Sequence, residues 1–313
     1  VYVLSFTPKR GMLGLLMPTF RTALLIRNPA AGVGWLRPPA KRVIRGLREW
    51  LPGLEVADTT APGQGERLAR EASRNGCDLI LVWGGDGTIG EVLNGIVGTP
   101  TVLAVIPGGT GNSVAREIGL PLRPVEAVGA LREGRVREVY LGKADENYFG
   151  LMIGVGFDAD AVRRVPNRLK KILGRIGYFY AGVIALVRYR YPAFTLWVDQ
   201  KPLTVTSAII AKSKYYASRF CVAPHASLET PGFQVCAFAG RGAWAYLKFI
   251  LAVMLRRHER LRDVTMMDGR EIRIETVPGL SAHRDGEPLN DSPSVVRIAD
   301  QTVRVMYPKS GTG

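Results

Sequence analysis

Two glycine loops carry the chain's strongest chemical signal. Gly84-Gly85-Asp86-Gly87-Thr88, with Glu91 and Asn94 behind it, comes directly after an apolar run and opens a helical pattern. Glycines let backbone N–H groups approach an anion with no Cβ in the way, and the following helix start adds donors and a favourable dipole. A phosphate would repel Asp86. In such a loop the residue makes sense as a holder of Mg²⁺ or its water, or as the acceptor of a hydroxyl proton. A turn with an N-capping Asp gives the same string; the strand-loop-helix setting is what favours the chemistry. One strand later Ile106-Pro107-Gly108-Gly109-Thr110-Gly111-Asn112-Ser113 repeats the arrangement, and Thr110 and Asn112 can bond a phosphate or a ribose. Asn28-Pro29-Ala30-Ala31-Gly32 follows the first apolar run and is a third candidate, equally readable as a Pro-Gly turn. There is no Gly-x-x-x-x-Gly-Lys-Ser/Thr loop and no Gly-x-Gly-x-x-Gly after the first strand, which counts against the P-loop and NAD-dehydrogenase classes.

Such loops need a sheet to hold them. Apolar runs at 22–26, 54–56, 78–83 and 101–106 predict strands. Spacing predicts helices at 38–50, 66–73, 89–97, 113–118 and 125–132. Strand-helix alternation with short connections indicates a parallel sheet, whose ligands sit at the carboxyl ends of the strands, where the glycine loops fall. Beyond 135 strands dominate, at 137–143, 148–155, 193–198, 203–211, 233–238, 271–276 and 295–298. Helical insertions are expected at about 170–188 and 244–257. The expected organisation is an N-terminal arm over 1–21, an α/β nucleotide-binding domain over 22–134 and a β-rich domain with helical insertions over 135–308.

Composition narrows the setting. Of 313 residues 47% are hydrophobic, enough for real cores and too many for disorder. The net charge is +15, from 42 Lys and Arg against 27 Asp and Glu, which suits nucleic acid, an anionic membrane or a phosphorylated ligand. No zinc-finger spacing or RNA-binding aromatic signature accompanies the charge, so nucleic acid is not expected as a partner. Cys77, Cys221 and Cys236 are scattered, which fits a reducing compartment and no disulfide framework. The apolar run at 176–187 is about half the ~20 residues a membrane span needs. The run from Trp244 to Leu251, followed by Arg256-Arg257, suits either a packed helix or a helix lying on anionic lipid. His225, His258 and His283 have no metal spacing, though His283 lies two residues before Asp285.

The three loops in this order, followed by Gly154-Val155-Gly156-Phe157-Asp158-Ala159, Tyr215-Tyr216, Ala223-Pro224 and Asp285-Gly286-Glu287, resemble the diacylglycerol kinase/sphingosine kinase catalytic family, especially its bacterial lipid-kinase branch. The resemblance covers about 22–308. It implies a Rossmann-like α/β domain, then an antiparallel β-sandwich-like domain, with the active site in the cleft between them. It implies ATP with Mg²⁺, and transfer of the γ-phosphoryl group to the hydroxyl of a lipid alcohol such as diacylglycerol or a sphingoid lipid. Carried over, Asn28, Pro29, Ala30, Ala31, Gly32 and Thr59 become nucleotide-binding residues. So do Gly84, Gly85, Asp86, Gly87, Thr88, Ile89, Gly90, Glu91, Gly109, Thr110 and Asn112. Asp285 and Glu287 become the catalytic acidic pair, one of them the base, with Asp86 a rival base and the metal contact through Mg-ATP. Two departures stand out. Ser113 occupies a position where many members have Asp. The family's Asp-rich metal segment after Ala-Pro reads His225-Ala226-Ser227-Leu228-Glu229-Thr230-Pro231-Gly232, with Gln234 beyond it, so the structural Mg²⁺ of some bacterial members loses its usual ligands. The net charge and the apolar-basic run point to an enzyme held peripherally on an anionic membrane surface, the scattered cysteines to the cytoplasm, and a homodimer stays open. Two other readings stay open: an NAD kinase-like phosphotransferase, which shares the first loop, and a non-catalytic nucleotide- or lipid-binding protein.

Overall fold

The structure is a computed structural model that describes residues 20–32, 40–164, 186, 188–216 and 220–309. The expected arm over 1–21 and insertion over 170–188 lie almost wholly outside the described residues.

The first half alternates as its sequence demands: β1 (Ala23–Arg27), α1 (Ala40–Trp50), β2 (Leu54–Asp58), α2 (Gln64–Arg74), β3 (Leu79–Gly84), α3 (Asp86–Ile96), β4 (Val102–Pro107), α4 (Ser113–Glu117) and α5 (Pro124–Arg132). Strands pair in parallel in the order β2-β1-β3-β4. β3 and β4 are buried along their whole length, which is why each reads as an unbroken apolar run rather than an alternating one. Parallel pairing brings the loops after all four strands to one edge.

The second half holds β5 (Arg135–Ala144), β6 (Asn147–Phe149), β7 (Met152–Gly156), α6 (Phe157–Arg164), β8 (Phe194–Val198), β9 (Lys201–Val205), β10 (Ser207–Ala211), β11 (Tyr215–Tyr216) and β12 (Phe220–Cys221). It continues with β13 (Phe233–Phe238), α7 (Gly242–Met254), β14 (Val264–Gly269), β15 (Glu271–Ile274), β16 (Ala282–Arg284), β17 (Glu287–Pro288) and β18 (Val295–Tyr307). An antiparallel sheet runs β14-β13-β10-β7-β16-β17. Its alternate residues Ile153, Val155, Ala208, Ile210, Phe233 and Val235 pack against Phe194, Leu196, Val198, Ile272 and Ile274 of a second sheet, forming a sandwich core. Its opposite face is also covered: Ile209, Cys236 and Phe238 belong to the main core with Phe157 and Tyr246. The α/β plus β-sandwich architecture expected from the sequence is the one found. The last strand ties the halves together. β18 pairs with β15 near its start and in parallel with β4 near its end, while β5 runs antiparallel to it, so one sheet of ten strands passes through both halves.

Three expected strands change in register or length. The run 148–155 divides into β6 and β7, which enter different sheets, because the N–H groups of Gly150, Leu151 and Met152 turn to the Asp285 carboxylate. The run 203–211 divides at Thr206, whose hydroxyl bonds the Phe238 and Gly240 carbonyls and the Tyr246 hydroxyl. The strand expected at 295–298 continues to Tyr307, past an irregularity between Ile298 and Thr302 where polar Asp300 and Gln301 hide the alternation. α6 was not expected from the sequence.

Candidate active site

Three loops meet at the carboxyl ends of β1, β3 and β4. The Gly108 N–H donates to the Gly84 carbonyl at 2.9 Å. A Cβ on Gly109 would lie 2.6 Å from the Gly85 Cα, and one on Gly32 would lie 2.5 Å from the Gly108 carbonyl oxygen. Gly32 also has φ +77°, so a side chain there is excluded twice over. The loops are thus built of glycine because they touch backbone to backbone. Gly85 at the N-cap offers α3 no side-chain cap, which leaves the first-turn N–H groups and the positive end of the dipole facing the loops. Uncapped N–H groups at a helix start are the donor set that a phosphate takes.

The polar residues of the loops mostly hold the loops. The Asn28 side chain donates to Thr88 Oγ1 at 3.0 Å and accepts from the Ala30 N–H at 3.0 Å. Asn112, left-handed at φ 54°, closes its own turn onto the Gly109 N–H and carbonyl, each at 2.9 Å. Asp86 accepts from the N–H groups of Ser113 at 3.0 Å and Val114 at 3.2 Å, and so ties the first glycine loop to the start of α4. Glu91 accepts from Gly63 and Gly65 at 2.8 and 2.9 Å, fixing the start of α2. Thr59, at the end of β2, is buried with its N–H on the Arg27 carbonyl, and the Ile89 side chain is in the core. Pro29, Ala30, Gly87 and Thr110 are exposed on the loops, with Ala31, Gly85 and Gly90 partly so.

The acidic pair of the second half divides into two kinds of residue. Asp285 Oδ1 accepts from Leu151 at 2.9 Å and Met152 at 2.8 Å, and Oδ2 from Gly150 at 2.9 Å. Burial raises its carboxyl above the ordinary range, opposed by those three N–H donors and helped slightly by Asp86. Glu287 is exposed, and its carboxylate bonds no other described residue. Its Oε1 lies 3.8 Å from where a Cβ on Gly87 would sit, at the uncapped end of α3.

Two supports were not legible in the sequence as such. Asn94 of α3 accepts from the Tyr148 N–H and donates to its carbonyl, both at 3.1 Å, joining the glycine-loop helix to β6. His283, 1% exposed, bonds Asp158 Oδ2 through Nε2 at 2.8 Å and takes the Gly286 N–H on Nδ1 at 3.3 Å. Since Nδ1 accepts, Nε2 carries the proton and donates to Asp158. The pair props the turn that presents Glu287. Position 158 lay in a quoted motif and position 283 beside another; their pairing across 125 residues had no local signal.

Glycine loops at the carboxyl ends of a parallel sheet, facing an acidic turn borne on a β-sandwich, define a two-domain kinase. Residues 22–144 match the diacylglycerol kinase catalytic domain, and residues 151–307 match the YegS C-terminal NAD kinase beta sandwich-like domain. The chain belongs to the family of diacylglycerol kinases and YegS-like lipid kinases that joins these two domains. It is 26% identical over 297 residues to the diacylglycerol kinase of Mycobacterium tuberculosis (strain ATCC 25618 / H37Rv), covering 91% of this chain and 95% of that one. It is 27% identical over 284 residues to the diacylglycerol kinase of Bacillus subtilis (strain 168), covering 85% and 90%. The crystal structure of a diacylglycerol kinase from Bacillus anthracis str. Sterne has the same fold, with a TM-score of 0.76 at 24% identity over 94% of this chain and 99% of that one.

Proposed function

We propose that this lipid kinase transfers the γ-phosphoryl group of Mg-ATP to the hydroxyl of a lipid alcohol, diacylglycerol or a sphingoid lipid. The observation that carries this is the position of Glu287: a free carboxylate beside the uncapped N-terminus of α3, where the three loops meet. In this reading residues 22–134 bind the nucleotide and 135–308 bind the lipid. Backbone N–H groups of the loops orient the phosphates, and Thr110 and the Asn28 loop flank the rest of the nucleotide. Mg²⁺ bound with the phosphates would supply charge neutralisation, and Asp86, held by the Ser113 and Val114 N–H groups, would be the loop carboxylate that meets its water shell. Glu287 accepts the proton of the lipid hydroxyl as that oxygen bonds to the γ-phosphorus and the bond from phosphorus to the β–γ bridging oxygen breaks, releasing ADP. Asp285 acts by anchoring the turn. The test is transfer from γ-labelled ATP to a panel of lipid alcohols in mixed micelles, with NAD as a further acceptor. Label in a lipid and none in NAD is expected. Label in NAD alone, or none anywhere despite ATP binding, overturns the reading.

The same enzyme is proposed to work on the surface of an anionic membrane, on its cytoplasmic side. Among the described residues no helix is long and apolar enough to cross a bilayer. α7 instead buries Tyr246, Ala252 and Val253, while Trp244, Leu251 and Leu255 at its end stand 68%, 49% and 67% exposed. These three and Lys248 recur at helical spacing on one face, and Arg256 and Arg257 follow. Sedimentation with phosphatidylglycerol vesicles is expected to carry the protein down at low salt and to release it as the Debye length falls to about 3 Å near 1 M. Leu251→Asp should reduce the bound fraction at low salt. Equal binding to phosphatidylcholine, or no binding at all, overturns this part of the reading.

A further inference from the structure

Lys212, directly after β10, is fully buried at 0% exposure. Its Nζ donates to three backbone carbonyls of a single loop: Ser227 at 2.9 Å, Thr230 at 2.5 Å and Gly232 at 3.1 Å. An ammonium has three N–H donors, and all three are used. Carbonyl oxygens converging on one point form the kind of cage that takes a hard cation. Here the occupant is the end of a side chain. Burial pushes the Lys212 ammonium down to about 8, and the Glu117 carboxylate pulls the other way, so the group is still charged at neutral pH.

The acidic ligands that a divalent ion would need are elsewhere. Glu229, the one carboxylate of this loop, is paired with Arg137 at 2.6 Å. The Gln234 side-chain oxygen accepts from the His225 N–H at 2.9 Å. No cluster of three His, Cys, Asp or Glu able to hold a metal occurs among the described residues. The residues present therefore do not fit the structural Mg²⁺ implied by the family resemblance.

We propose that Lys212 is a tethered cation, its ammonium standing where a structural metal ion would otherwise order the loop 226–232, so that this chain holds the loop without any metal. The tether bears on the kinase site. Ser213 Oγ and the Lys214 N–H both donate to Glu117 Oε2 at 2.9 Å. Glu117 ends α4, whose first N–H groups are held by Asp86. Fixing Lys212 thus fixes a contact between the two halves one short helix away from the glycine loops.

The test is thermal melting of the full chain. Wild type should melt within about 1 °C in excess EDTA and in millimolar Mg²⁺ or Ca²⁺, and should carry no stoichiometric metal after purification. Lys212→Ala should melt roughly 5–10 °C lower, because the three carbonyls that converge on the buried ammonium lose their donors. Methylammonium, which restores the missing head group, should recover part of that loss, while tetramethylammonium, with the same charge and no N–H, should not. A wild type destabilised by EDTA, or purified with bound metal, overturns the proposal even if Lys212→Ala does not fold. So does a Lys212→Ala protein that melts like wild type, that ignores both amines, or that responds equally to both. Lys212→Met serves as the second variant; it keeps the aliphatic stem, and a loss matching that of Lys212→Ala assigns the effect to the charged head group, whereas melting like wild type overturns it.

Discussion

Glu287→Gln is expected to lower turnover by about 10²–10⁴-fold, the range attributed to a general base, while the melting temperature and ATP affinity stay close to wild type. A base must be free to take a proton and must lie beside the nucleophile. Of the three carboxylates the sequence offers, only Glu287 meets the first condition. Both oxygens of Asp86 hold α4, and both oxygens of Asp285 hold the start of β7. Glu287 is exposed and faces Gly87 at the uncapped helix end, which meets the second condition. Glutamine keeps the size and one acceptor oxygen but cannot be protonated usefully, so the loss should fall on kcat rather than on KM for ATP. Single-turnover transfer from labelled ATP, with melting curves alongside, separates the outcomes. Retention of more than a tenth of the wild-type rate would mean that Glu287 is not the base.

The loops were legible because their chemistry is local. A glycine that must let two backbones touch is a glycine in the sequence, and Gly84-Gly85 and Gly108-Gly109 each follow a buried strand that reads as an apolar run. The acidic turn was legible by resemblance, and its division of labour was not. Asp285 and Glu287 are two residues apart with the same functional group. What separates them is that the turn, with Asp285 at φ 51°, sends one side chain onto the β6–β7 junction and leaves the other in the open. The same junction hid the break in the expected strand at 148–155, since tertiary N–H partners leave no mark on local hydrophobic alternation. Lys212 lies just past an apolar strand and reads as a residue bound for solvent. Only the folded loop, with three carbonyls turned inward, shows why it is buried.

Asp285 substitutions should cost stability as well as rate, and this sets them apart from Glu287→Gln. Asp285→Ala leaves three N–H groups without an acceptor and puts alanine at a left-handed φ of 51°. A loss of roughly 3–5 kcal/mol follows at about 1–3 kcal/mol per buried unpaired group, allowing for partial hydration. Asp285→Asn tolerates the left-handed backbone and can still accept from Leu151 and Met152, but its amide nitrogen then meets the Gly150 N–H donor to donor. Its loss should be smaller, about 1–3 kcal/mol. The deficit should also depend on pH, with a sign fixed by the raised carboxyl. The folded chain binds that proton more tightly than the unfolded chain does. The stabilisation is therefore full below the unfolded value, about pH 4, and is lost as pH climbs through the raised folded value. Asparagine does not titrate, so the gap between wild type and Asp285→Asn should be widest near pH 4 and narrow towards neutrality, read by urea unfolding at several pH values. A gap that widens with pH would mean that the three backbone donors outweigh burial and hold Asp285 as an anion. Either way the activity of Asp285→Asn should fall together with its stability, because the turn that presents Glu287 to the glycine loops hangs on this one carboxylate.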